Sequence, residues 1–80
     1  MKYPLFEEVV LLIDIPSKNL KQGDVATVVE FHSVANGENG YSIEVFNAVG
    51  DTIAVITVAE SAIKPLSKDE VFNVRLLLAA

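Results

Sequence analysis

An imidazole two residues from a carboxylate can pass a proton, and Glu30 and His32 form one such pair in an 80-residue chain with a single histidine. General acid–base catalysis also needs a nucleophile or second acid within hydrogen-bond reach, and a metal needs three or four ligands. A lone histidine supplies neither, so His32 reads as a surface or half-buried strand residue. Glu30 and Glu44 fall on neighbouring expected strands, where two facing carboxylates would resemble the acid pair of a glycosidase. A chain this short has little room for a deep substrate cleft, and the two read instead as solvated acids on the outer face of a small sheet. Gly37, Gly40 and Gly50 have the wrong spacing for a phosphate-cradling loop, and no Gly-Lys-Ser/Thr run follows them. There is no cysteine, which removes disulfides and thiolate metal sites. These residues predict a protein that is not an enzyme and holds no cofactor and no metal.

The elements expected to position these residues are strands. Val9 to Ile13 is an aliphatic burst followed by Pro16, whose ring fixes φ and removes a donor. The first ladder should therefore stop near Ile15, with a tight or 3₁₀-like corner over residues 17–20. Lys21-Gln22-Gly23-Asp24 is a turn in which Gly23 can take a positive φ. Val25 to Phe31 is the second strand, and the Asn/Gly-rich stretch 36–40 is an exposed connection. Tyr41, Ser42, Ile43, Glu44 and Val45 alternate strictly, placing Ser42 and Glu44 on a wet face. Phe46 breaks that alternation and projects on the wet side, to be covered by the C-terminal segment or to join a contact surface. After a turn at residues 49–51, Thr52 to Val58 is apolar on both faces, which predicts a central strand or one covered on both sides. A one-turn element around Ala59 to Ile63 precedes a final strand. The sum is an all-β domain spanning residues 1–80, a small SH3-like barrel of about five short antiparallel strands.

The C-terminal segment carries two competing signals. Ser67-Lys68-Asp69-Glu70 matches a capping box that would start a helix. Phe72, Val74, Leu76 and Leu78, however, fall at every second position, which favours a strand over the helix. On a strand, Phe72, Val74 and Leu76 become candidate oligomer contacts, in a homodimer that deletion of residues 72–80 would weaken. The closing Leu78-Ala79-Ala80 resembles the end of the tag that bacterial Clp proteases recognise, and equally residues left by a cloning vector or the end of a packing strand.

Six basic against eleven acidic residues give a net charge of -5. A nucleic-acid binder needs a basic stripe, which is missing, whereas a basic protein partner fits this balance. No aliphatic run approaches the roughly 18 residues of a membrane span, and residues 1–8 lack the apolar core of a signal peptide. The expected address is the cytoplasm. Glu30, Glu44 and Phe46 are the candidate partner-binding residues.

Five pieces of the chain together carry a resemblance. They are Leu5 to Val10, then Leu20-Lys21-Gln22-Gly23-Asp24-Val25-Ala26-Thr27-Val28-Val29-Glu30, Tyr41 to Phe46, Gly50-Asp51-Thr52, and Ile63 to Leu66. In order and spacing they are similar to a bacterial family of short SH3-like barrel proteins, a domain of unknown function, over residues 5 to about 76. The chain departs from that pattern at Ala26, where Gly is usual, and at residues 47–50, where an acidic turn is usual. The resemblance implies a small accessory or antitoxin-like protein that pairs with a partner, and brings no catalytic residue. The competing expectation is a self-assembling domain that forms a homo-oligomer through its edge strands.

Overall fold

The computed structural model describes residues 1–77. Leu78, Ala79 and Ala80, with the readings attached to them, lie outside the described residues. Pro16 and the turn glycines cut the chain into five strands, β1 (Glu8–Leu11), β2 (Val25–His32), β3 (Gly40–Phe46), β4 (Thr52–Ala59) and β5 (Ile63–Pro65). All pairings are antiparallel, in one open sheet of order β4-β3-β2-β1-β5. Single 3₁₀ turns at Pro16–Lys18 and Glu60–Ala62 make the corners. The all-β, five-stranded expectation is therefore met. Among the described residues no helix is long and apolar enough to cross a membrane.

One face of the sheet holds the core. Val9, Leu11, Ala26, Val28, Tyr41, Ile43 and Val45 interlock there, and Tyr3, Leu20, Ala62 and Ile63 close over them. Tyr41 is fully buried, and its hydroxyl accepts from the amides of Lys2 and Tyr3 at 2.9 and 3.1 Å and donates to Glu60 at 2.9 Å. That oxygen straps the N-terminal residues across the core. Gly23 sits at φ +95°, the left-handed region its turn was expected to allow, and Gly50, in the β3–β4 turn, sits at φ +90°. Ala26 lies within β2, so the position where Gly is usual in the resembling sequences needs no positive φ here.

Three expectations are corrected. The β1 ladder ends at Leu11, not near Ile15, because Leu12 turns its N–H to the carbonyl of Ala62 and Ile15 forms only an isolated bridge to Leu20. β4 is an edge strand, not a central one; its Ala54, Ile56 and Val58 face the core side, while Val55 is 58% exposed. The C-terminal segment is neither strand nor helix over residues 71–77. The capping box does form, with Ser67 N–H donating to Glu70 at 2.7 Å and Asp69 N–H to Ser67 Oγ at 3.2 Å. It closes only a turn, because the β-branched Val71 and Val74 and the aromatic Phe72 gain little from helical backbone.

Candidate functional site

Strand register decides which polar groups meet. Thr27 stands opposite Glu44 and Glu30 opposite Ser42, with a bulge at Val29 between them. Glu30 and Glu44 thus share the outer face, but they do not stand opposite each other. Glu8, opposite Thr27 on β1, joins the same face. Glu44 accepts a hydrogen bond from the Thr52 hydroxyl across the β3–β4 hairpin.

The register also assembles a row that sequence reading did not foresee. His32 Nε2 lies 2.7 Å from Ser42 Oγ, which lies 3.0 Å from Thr57 Oγ1, so three outer-face side chains link β2, β3 and β4. Glu30 Oε1 is 3.8 Å from the same His32 nitrogen. A serine nucleophile would need the carboxylate on Nδ1, the far side of the ring, to hold the imidazole for proton transfer. Here acid and hydroxyl converge on one nitrogen, so the row cross-ties strands instead of building a triad. Period-two alternation had put Ser42 on this face, but a cross-strand pair needs the register, which no local pattern contains.

A concavity lies between the outer face and the segment after β5. It is an open groove of about 1050 Å³, with Val10, Val25, Thr27, Phe46 and Ile53 on the sheet side and Leu66, Val71, Phe72 and Val74 on the other. Val10 is 7% exposed yet lies outside the core cluster, so it is the floor of this groove. Phe46 projects here because it follows Ser42 and Glu44 at every second position of β3, while the bulge at the end of the β3–β4 ladder leaves Ile53 of β4 without an opposite residue; it is 40% exposed, only partly covered by the C-terminal segment. The candidate oligomer contacts Phe72, Val74 and Leu76 are 71%, 85% and 76% exposed. Residues 66–77 form an arm with apolar side chains largely in solvent.

One charged clamp holds that arm. Arg75, the sole arginine in the sequence, grips Asp24 with both fork nitrogens, Nε at 2.8 Å and a terminal nitrogen at 2.6 Å, and also donates to the Asn19 carbonyl at 3.0 Å. The planar guanidinium fits a carboxylate bidentately, which a lysine does not. Asp24 also accepts from the Lys21 amide at 2.8 Å. At the arm's base Lys64 pairs with Glu70, whose pKa is lowered because the ammonium and the Ser67 amide both bind its charged form. The Asp24–Arg75 pair is 51 residues apart in sequence, and the only advance sign of it was the solitary arginine.

Burial pushes the Asp24 carboxyl up, but the Arg75 hydrogen bonds, the Lys21 amide and the two positive charges together outweigh burial and leave it below its ordinary 3.8. A carboxylate whose folded value is depressed stabilises the clamped form above its ordinary value and loses that contribution as pH falls through the folded one. The arm is therefore expected to stay clamped at neutral pH and to release only in acid below 3.8. Carboxyl carbon NMR titration of Asp24 should give a midpoint below that value in the wild type and a higher one in Arg75→Gln. Coincident midpoints would mean that the clamp is not populated in solution.

No curated protein and no solved structure matches this chain. A family model does match over residues 5–65, which takes in all five strands and stops at Pro65, short of the reach to about residue 76 that the sequence motifs suggested. The sheet and its turns are thus what the match describes, the arm lies beyond it, and the chain belongs to the family described as Domain of unknown function (DUF4926).

Proposed function

We propose that this protein is a non-enzymatic binding module that takes a basic protein partner on the outer face of its sheet, in an accessory or antitoxin-like role. The observation that carries the reading is the adjacency of charge and apolar surface. Glu8, Glu30 and Glu44 share the outer face, and Glu8 borders the groove lined by Val10, Phe46 and Phe72. A partner with a lysine- or arginine-rimmed apolar ridge complements both features, with the acids setting its approach and the groove holding it. The SH3-like layout, a bacterial source and a cytoplasmic address belong to the same proposal.

The test is kinetic, because charges on an exposed rim act mainly on the association rate. A partner co-purified from the native host is measured against wild type and against Glu30→Gln/Glu44→Gln at low and moderate salt. The double variant is expected to associate several-fold more slowly at low salt, with a flatter salt dependence and an unchanged circular dichroism spectrum. Equal rates and equal salt slopes would make the two acids ordinary solvated surface and remove the proposed docking face.

A further inference from the structure

We infer that the Asp24 carboxylate and the Asn19 carbonyl form a preshaped receptor for one arginine side chain of the partner, and that Arg75 is its tethered occupant, which the partner displaces. The inference rests on the basic partner proposed above and names the side chain with which that partner engages the groove.

The receptor is shaped by bonds in which the arm takes no part. Asn19 closes the Pro16–Lys18 turn with a left-handed φ of 56° and donates its N–H to the Pro16 carbonyl, a conformation asparagine tolerates better than most residues. The next residue, Leu20, is 1% exposed and exchanges both backbone hydrogen bonds with Ile15. Asp24 donates its N–H to the Lys21 carbonyl at 3.0 Å, accepts from the Leu11 amide at 2.9 Å, and receives the Lys21 amide on its carboxylate at 2.8 Å. Every one of these bonds lies within residues 11–24. They also fall inside the family's span, residues 5–65, whereas the arginine lies beyond it.

On the occupant's side the guanidinium carries the contact. The Arg75 and Asp24 side chains are 31% and 15% exposed, whereas Phe72, Val74 and Leu76 around the arginine remain mostly in solvent. The arm thus gains little burial against the cost of ordering its backbone, and one ion pair this close to water is a weak latch. An incoming segment that carries an arginine beside apolar side chains makes the same fork and adds the burial the arm lacks. The receptor opens onto the place for those side chains, because Gln22, Gly23 and Asp24 line the groove together with Val10 and Phe46. Geometry selects arginine over lysine. Nε and one terminal nitrogen meet the two carboxylate oxygens, and that terminal nitrogen also reaches the Asn19 carbonyl, a fork that a compact ammonium does not reproduce. A short tether holds Arg75 at an effective concentration on the order of millimolar, so the arm turns away weak cations and yields to a tighter partner.

The test supplies the arginine in trans. A synthetic peptide of residues 71–77 is titrated into the full-length Arg75→Gln chain and followed through the backbone amide shifts of Lys21, Gln22 and Asp24. Saturable binding is expected there, and binding several-fold weaker in the wild type, where Arg75 competes. Asp24→Asn/Arg75→Gln, which keeps an oxygen for the Lys21 amide, should lose the shifts with an unchanged circular dichroism spectrum. No saturable shift in Arg75→Gln, or equal affinity for Arg75→Gln and wild type, would overturn the inference. A peptide with lysine in place of its arginine should bind several-fold more weakly, and equal binding would overturn the assignment to arginine. These titrations involve neither Glu30 nor Glu44, so they stand or fall apart from the docking-face test. Against the co-purified partner, Arg75→Gln is expected to bind several-fold more tightly than wild type, and Asp24→Asn/Arg75→Gln to give up that gain. Equal partner affinities for all three chains would overturn displacement while leaving the acidic face in place.

Discussion

Leu11→Ala is expected to remove about 3 kcal/mol of stability and to lower the melting temperature by roughly 12–24 °C. Leu11 is completely buried where β1 meets β5 and stands opposite Ile63. Its amide donates to the Asp24 carbonyl and its carbonyl accepts from Gly23, so the backbone around it is tied on both sides. A site held that firmly cannot collapse onto the space left by three lost carbons, and the cavity term adds to the lost transfer energy. The whole chain is worth about 4–12 kcal/mol at the usual 0.05–0.15 kcal/mol per residue. The variant therefore sits near its folding limit, and urea denaturation should show a lower midpoint with an unchanged slope. A loss below about 1 kcal/mol would mean that the corner between β1, β5 and the Lys21–Asp24 turn is far more plastic than its packing indicates.

Tyr41→Phe should cost about 2–3 kcal/mol, although it removes a single oxygen. That oxygen serves two backbone amides and the Glu60 carboxylate in a region closed over by the Tyr3 ring, whose centroid lies 5.4 Å from that of Tyr41. Phenylalanine keeps the apolar contacts and leaves the Tyr3 amide buried without its acceptor, and each such orphan costs about 1–3 kcal/mol. The distinguishing readout is local. Hydrogen exchange at the Tyr3 amide should accelerate far more than exchange in the centre of β3, because the N-terminal strap opens before the sheet does. Uniform acceleration would show that the strap has no local opening of its own.

Residues that act through their neighbours in sequence were readable in advance. Pro16 announced its 3₁₀ corner, though the first ladder already stops at Leu11; Gly23 announced a positive φ; and the alternation from Tyr41 to Val45 announced which residues face the core, although Ser42 on the other face is itself buried. What could not be read is what depends on register or on distant partners. Val29 is apolar like its neighbours, so nothing local marks it as the bulge that sets Glu30 against Ser42. β4 reads as central because hydropathy records which faces are apolar and not how many neighbours a strand has. The tail's period of two is real, but a strand needs a ladder to join. Residues 71–77 join no ladder, and what anchors them instead is the Arg75 side chain on Asp24 and Asn19.

The strand order also sets a sequence of events in time. β2, β3 and β4 form a meander of near neighbours joined by short turns, and hairpins of this kind close in about 1–10 μs. Joining β5 to β1 brings Ile63 to Leu11, 52 residues away by the difference of their numbers, and such long-range closure lags behind local pairing. Pairing within the three-stranded meander is therefore expected to run ahead of closure of the β1–β5 half of the core. During that interval the uncharged edge of β4 and the unfinished core face are presented together, to any other chain emerging or refolding nearby. Refolding yield should fall with protein concentration for this reason, and the charged residues of the arm, at the far side of the sheet, do nothing to prevent it.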